Sequence, residues 1–141
     1  MNLDEMKATD DVVLDVMNSK TEKPVCDEKG NPFRIFFFNI DSREYIVARN
    51  AHINMDRKQT ARGRVKTIEE EIESGVEFLA SITKGWANMP TLSASEPPLE
   101  FNDANTRKLY SRYHWLRAQI DTRMMQAGLR VNLPSPPGTD I

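Results

Sequence analysis

The amino-acid sequence predicts an α+β domain, in which a small antiparallel β-hairpin or meander precedes a bundle of about three helices. Two observations predict this fold class. Between residues 24 and 50, short runs rich in Phe, Ile and Val are separated by turn residues, which is typical of strands. After residue 67, apolar residues return every three or four positions, which is typical of amphipathic helices.

Length and composition set the outer limits of the interpretation. The chain has 141 residues, of which 39% are hydrophobic and 28% charged, and its net charge is -2. This size predicts one domain with its own core, and this charge does not favour a polyanion-binding protein. We divide the chain into a flexible N-terminal arm at 1–23, a single domain at 24–128 with its β part at 24–50 and its helical part at 67–128, and a flexible proline-rich tail at 129–141.

Cysteine usage and hydropathy point to a soluble, cytoplasmic protein. Cys26 is the only cysteine, which excludes an intrachain disulfide and a CxxC zinc site. The N-terminus has no basic patch followed by an apolar region, so we expect no signal peptide. The longest uninterrupted apolar run covers residues 35–38, far short of the ~20 residues that span a membrane.

The N-terminal arm holds one apolar cluster, at residues 12–17. Asp10 and Asp11 precede this cluster and are suited to cap a short helix. We therefore expect either a mobile arm with a nascent helix or an arm that docks on a neighbour.

The β part is predicted from its turns. Residues 27–32 include Gly30 and Asn31, which tolerate positive φ, and end in Pro32. Residues 41–43 form a second turn. The expected strands are the extended piece at 24–26 and the runs at 33–40 and 44–49.

Residues 35–38 are apolar on both faces of the expected strand. A hairpin with one wet face would alternate between apolar and polar residues instead. Both faces must therefore be covered, by helices of this chain, by another subunit or by a partner.

The clearest helix is predicted at 67–84. Thr67 and Glu70 form a T-x-x-E capping box, and Gly85 is suited to the left-handed position that ends a helix. Its apolar stripe, expected to lie in the core, consists of Ile68, Ile72, Val76, Leu79, Ile82 and Trp86.

Two further helices are predicted at 102–112 and 114–127, after a loop rich in proline. Asn102 is the expected cap, and Gly128 the expected end. The bulky sequence Tyr113-His114-Trp115 predicts a bend between the two helices.

A basic run precedes the clearest helix. Basic runs sometimes mark nucleic-acid binding, but this one has no aromatic residue for stacking, and the chain as a whole is acidic. We favour a solvated linker or helix face over nucleic-acid binding. Five cations make up the run: Arg57, Lys58, Arg62, Arg64 and Lys66.

The sequence shows no pattern that predicts catalysis. His52 and His114 are the only histidines, and neither has metal-binding spacing to another ligand. Phosphate-binding loops and G-x-S-x-G elbows are absent from the sequence. We expect no enzyme activity, no cofactor and no metal.

The order of these features resembles that of the tail assembly chaperones of long-tailed, siphovirus-like bacteriophages and prophages. The resemblance covers about residues 24–127, and it depends on the order of motifs more than on any one of them. The motifs are Asp27-Glu-Lys-Gly-Asn-Pro32, Asp41-Ser-Arg-Glu-Tyr45, the basic run at 57–66, Gly85-Trp86 and the segment from Phe101 to Ile120.

The resemblance implies a protein that acts during virion assembly in the cytoplasm of the bacterial host and is absent from the mature virion. Such a protein binds the tape measure protein, keeps it soluble and helps to recruit tail tube subunits. The alternatives are a structural virion or tail component or adaptor, and a small nucleic-acid-binding regulator. We expect no membrane partner, and self-association into a homo-oligomer is the competing use of any apolar surface.

The residues expected to contact a partner are aromatic. They combine the doubly apolar strand with the aromatic corner, and some of them must fill the core because a domain of this size cannot expose them all. The set is Phe36, Phe38, Tyr110, Tyr113 and Trp115.

Overall fold

The computed structural model describes residues 11–63 and 65–132, with side chains described as far as residue 128. It confirms the α+β class: a three-stranded antiparallel sheet lies among four helices in this part of the chain. The elements in chain order are β1 (Val12–Asp15), β2 (Arg34–Phe37), α1 (Arg43–Ala61), α2 (Ile68–Ile82), β3 (Thr83–Ala87), α3 (Asp103–Arg112) and α4 (His114–Asn132).

The sheet has the order β1-β2-β3, and two of its strands were not expected from the sequence. The apolar cluster at 12–17 is extended rather than helical, and its residues 12–15 form β1, because Val12, Leu14 and Val16 are buried at every second position. Asp11, expected to cap that helix, comes before β1 instead, and Asp10 lies outside the described residues. Residues 12–15 of the predicted arm therefore belong to the sheet.

The prediction of a strand at 44–49 is wrong, because these residues form the start of α1. Tyr45, Ile46 and Val47 favour a strand locally, but the Ser42 side chain caps a helix by accepting a hydrogen bond from the Tyr45 amide at 3.1 Å. The Tyr45 ring then packs edge-on against Phe78 of α2, with ring centroids 6.0 Å apart. Tertiary contact therefore overrides local propensity.

Helix α2 begins as predicted and ends early. The Thr67 side chain accepts a hydrogen bond from the Glu70 amide at 3.2 Å, which confirms the cap. The helix stops at Ile82, and the expected left-handed Gly85 lies within β3, opposite Phe36. Residues 83–87 form a strand because their backbone pairs with β2. A helix that continued to Gly85 would leave β2 without this neighbour.

The bend between the last two helices is confirmed, since Tyr113 has extended dihedral angles between α3 and α4. The predicted end at Gly128 is wrong, because α4 continues to Asn132. A glycine inside a helix costs only about 1 kcal/mol, so it does not by itself end one. Residues 129–132 of the predicted tail are thus helical, and 133–141 lie outside the described residues.

The core lies between one face of the sheet and helices α2, α3 and α4. Its most deeply buried large side chains are Ile35, Phe37, Ile82, Tyr110, Leu116 and Ile120. Helix α1 contributes no buried residue and packs on α2 at the periphery. Across residues 11–63 and 65–132, no helix is long and apolar enough to cross a membrane.

Candidate partner-binding surfaces

Tyr110, one of the expected contact residues, lies in the core. It is 0% exposed, and its hydroxyl lies 2.7 Å from the Thr83 hydroxyl, which in turn donates to the Leu79 carbonyl at 2.7 Å. Because the single Thr83 proton goes to that carbonyl, the Tyr110 hydroxyl is the donor between the two side chains. Burial raises the pKa of Tyr110 above its ordinary range, so it remains a neutral donor. Tyr110 therefore offers no surface to a partner.

Phe36 and Phe38 lie on the face of the sheet that points away from the core. Side chains alternate along a strand, so the burial of Ile35 and Phe37 on the inner face places Phe36 on the outer one. Both Phe36 and Phe38 are partly exposed, and neither belongs to the core cluster. The sequence predicted two apolar faces, and helices of the described chain cover the inner face.

Phe36 lies at the centre of this outer face, with smaller residues on both sides. Phe36 pairs with Val13 of β1 on one side and with Gly85 of β3 on the other. A Cβ atom added at Gly85 would meet nothing within 4 Å, so the described atoms leave open space at Gly85, the residue that pairs with Phe36. We call Val13, Phe36, Phe38 and Gly85 the open sheet face.

Ion pairs border the open sheet face at both ends. Lys84 and Asp11 are 3.0 Å apart at one end, where the Lys84 ammonium also lies 5.9 Å from the centre of the Phe38 ring. Arg34 and Asp15 are 2.7 Å apart at the other end. An apolar centre with a charged rim is the usual anatomy of a protein interface.

Tyr113 and Trp115 line a second surface, a pocket of about 430 Å³. Their rings are 5.7 Å apart and tilted by 51°. We call this site the aromatic pocket; its other apolar walls are Val25, Phe33, Met89, Pro90, Leu92, Leu109 and Leu116. None of these residues belongs to the open sheet face, so the structure separates the four partly exposed contact residues into two sites.

A third surface, which the sequence did not predict, lies on the hairpin formed by α1 and α2. Ile68 and Ile72 were expected in the core, but they are 74% and 40% exposed. The core ends at Val76, and the first two turns of α2 extend beyond it. Since residues 44–49 were predicted to form a strand and the basic run a linker or helix face, the sequence did not predict a projecting helical hairpin.

A polar cluster joins α1 to α2 inside this hairpin. The Ser74 hydroxyl lies 3.3 Å from His52 Nδ1, and His52 Nε2 lies 3.8 Å from an Asp56 carboxylate oxygen. Lys66 pairs with the same carboxylate and lies 3.3 Å from Ser74. The hydrogen bond from Lys66, helped by its charge and by His52, holds the pKa of Asp56 below its ordinary range.

Serine, histidine and aspartate together invite comparison with a nucleophilic triad. Here Lys66 neutralises Asp56 and also contacts the hydroxyl that would attack. Ser74 lies in the middle of α2, where backbone amides are engaged within the helix and do not converge into an oxyanion hole. We interpret the cluster as a polar clamp between helices.

Metal and nucleic-acid sites gain no support from the described residues. Among their side chains, no group of three or more His, Cys, Asp and Glu is arranged to hold a metal ion. Of the basic run, Arg57, Lys58 and Arg62 are exposed, while Lys66 turns inward to Asp56. Arg64 lies outside the described residues.

Comparison with known proteins adds no family assignment. No protein-family model, no curated protein and no solved structure matches this chain.

Proposed function

We propose that this chain is a tail assembly chaperone of a long-tailed bacteriophage or prophage. It binds the tape measure protein in the cytoplasm of the bacterial host, keeps that protein soluble and helps to recruit tail tube subunits. The order of sequence motifs between residues 24 and 127 suggests the family. The arrangement of apolar surface supports a protein that binds another protein.

The observation that carries the proposal is the partial exposure of four of the five expected contact residues. Phe36 and Phe38 lie on the open sheet face, and Tyr113 and Trp115 lie in the aromatic pocket. Aromatic residues at apolar sites with polar rims are the usual anchors of protein interfaces. A largely helical partner with apolar side chains is the chemistry that these two sites suit.

Co-expression with the tape measure protein of the same genome tests the proposal. We expect the tape measure protein to remain soluble and to co-purify with the wild-type chain. Phe36→Ser and Trp115→Ser each remove one anchor and should reduce the co-purified amount at least ten-fold. Met125→Ser is the matched control, because Met125 is 66% exposed and belongs to neither site.

Three outcomes are distinguishable. Loss of co-purification with Phe36→Ser or Trp115→Ser alone identifies which site binds. Equal co-purification by all variants would show that binding occurs elsewhere. A tape measure protein that is no more soluble with the wild-type chain than without it would contradict the proposed function.

A further inference from the structure

The α1–α2 hairpin concentrates the exposed apolar residues of this protein. Large apolar side chains with high exposure in the described chain number eight, and six of them lie between residues 46 and 72. Four surround the hairpin tip: Met55 at 58%, Val65 at 88%, Ile68 at 74% and Ile72 at 40%. Grouped exposure of this kind marks an interface rather than scattered surface hydrophobicity.

The same tip separates its charges by sign. Residues 57–66 contain five cations and no acid, whereas residues 68–77 contain five acids and no cation. Of the described residues, the cations Arg57, Lys58 and Arg62 lie at the end of α1 and the acids lie on α2, so the tip has a basic side at α1 and an acidic side at α2.

Part of this charge is used within the molecule. Lys66 pairs with Asp56, and Glu77 pairs with Arg107 at 2.7 Å. Six exposed residues of the tip form no ion pair within the part of the chain that the structure describes. These are the cations Arg57, Lys58 and Arg62 and the acids Glu69, Glu71 and Glu73.

A surface with both signs beside an apolar centre is complementary to itself. When two copies meet about a two-fold axis, the same patch of each copy forms both halves of the interface. The basic side of one copy then faces the acidic side of the other, and this happens twice. A partner of uniform charge would satisfy only one of the two sides.

We propose that the hairpin tip is a self-association surface, at which two copies of this chain pair about a two-fold axis. Val65, Ile68 and Ile72 meet their counterparts at the centre, where removal of apolar surface from water supplies the affinity. The ion pairs at the two sides add little affinity but fix orientation and register. The polar clamp between α1 and α2 holds the two sides in place.

This surface is separate from the open sheet face and the aromatic pocket, so the inference goes beyond the proposed function. A dimer formed at the hairpin tip leaves both of those sites available to another protein. Neither proposal depends on the other.

Sedimentation equilibrium tests the proposal through charge reversal. The variant with Glu69→Lys, Glu71→Lys and Glu73→Lys has a tip that is basic on both sides. The variant with Arg57→Glu, Lys58→Glu and Arg62→Glu has a tip that is acidic on both sides. We expect the wild type to dimerise, and each variant alone to dimerise at least ten-fold more weakly.

An equimolar mixture of the two variants should restore dimerisation as a heterodimer, because each basic side again meets an acidic one. Lysines in the first turn of α2 oppose the helix dipole and could unfold the variant. Because only folded chains can pair, a heterodimer would show that both variants are folded. Circular dichroism of each variant checks helix content directly.

Controls of equal charge change lie outside the hairpin. Glu22→Lys, Glu28→Lys and Glu100→Lys together match the acidic set, and all three residues are exposed. Ile68→Ser tests the apolar centre without cutting into the core, with Met125→Ser as its match. We expect the controls to dimerise like the wild type and Ile68→Ser to lose at least ten-fold in affinity.

Several results would overturn the proposal. They are a wild type that is monomeric at all concentrations, full dimerisation by both charge-reversed variants, or a mixture that gains no heterodimer. A monomeric wild type whose Ile68→Ser variant fails to bind the tape measure protein would assign the tip to that partner instead.

Discussion

The Tyr110 hydroxyl donates to Thr83, which donates to the Leu79 carbonyl, and this buried chain predicts how substitutions change the free energy of unfolding. Thr83→Val removes the acceptor and leaves the Tyr110 hydroxyl in the core without a partner, which should cost ~1–3 kcal/mol of unfolding free energy. Tyr110→Phe removes the donor and leaves only an acceptor lone pair unfilled, which should cost ~0.5–1.5 kcal/mol.

The double variant, Thr83→Val with Tyr110→Phe, tests whether the two hydroxyls depend on each other. With both polar partners gone, no buried donor is orphaned, so the double variant should be more stable than Thr83→Val alone. Ser81→Ala is the matched control: the Ser81 hydroxyl also donates to a carbonyl four residues earlier, at 2.8 Å, but Ser81 is exposed. Its substitution should change stability by less than ~0.5 kcal/mol.

Urea unfolding followed by circular dichroism measures all four variants. The midpoint should fall furthest for Thr83→Val at an unchanged slope, and recover partly in the double variant. If the costs of the two single substitutions simply add in the double variant, the hydroxyls do not depend on each other and the assignment of Tyr110 as donor is wrong.

Three further predictions concern the clamps and caps of the fold. The Gln119 side chain accepts a hydrogen bond from the Met17 amide at 3.0 Å and donates one to the Met17 carbonyl at 2.7 Å, which holds α4 against the segment after β1. Gln119→Ala should therefore destabilise the protein by ~1–2 kcal/mol in urea unfolding. Unchanged stability would mean that water replaces the Gln119 side chain. Ser42→Ala should cost ~0.5–2 kcal/mol in the same assay by removing the cap of α1, and restoration by Ser42→Asp would separate capping from packing. Since Lys66 lowers the folded-state pKa of Asp56, the pair stabilises the fold above the unfolded pKa of ~3.9, and this contribution is lost as pH falls through the folded value. The free energy of unfolding, measured from pH 7 to 2, should therefore be higher for the wild type than for Asp56→Asn, and this difference should disappear as pH falls below about 4. A difference that stays constant with pH would contradict the linkage.

The sequence predicted correctly those features that depend only on residues adjacent in the chain. Thr67 with Glu70 and the bend at Tyr113 were predicted correctly, because caps and bends depend on adjacent residues. Strand β3 was missed because Lys84 and Gly85 are poor strand formers, and only pairing with distant β2 makes them extended.

The candidate surfaces were predictable only in part. The apolar run at 35–38 indicated that both faces of the strand would need a cover, and the structure places Phe36 on the outer, open one. The difference between Tyr110 and Tyr113 was beyond the sequence, because both lie near one helical stripe and their burial depends on the turn after α3. The exposed Ile68 shows the same limit, since periodicity identifies an apolar stripe but not how far the core extends beneath it.

Suppression of aggregation is the measurement that tests the central claim most directly. Denatured tape measure protein is diluted into buffer with increasing amounts of this chain, and light scattering follows its aggregation. We predict that the wild-type chain abolishes scattering at a fixed stoichiometry, that Met125→Ser does the same, and that Phe36→Ser or Trp115→Ser requires at least ten-fold more protein. Scattering that the wild-type chain leaves unchanged at every ratio would contradict the claim that this protein is a tail assembly chaperone.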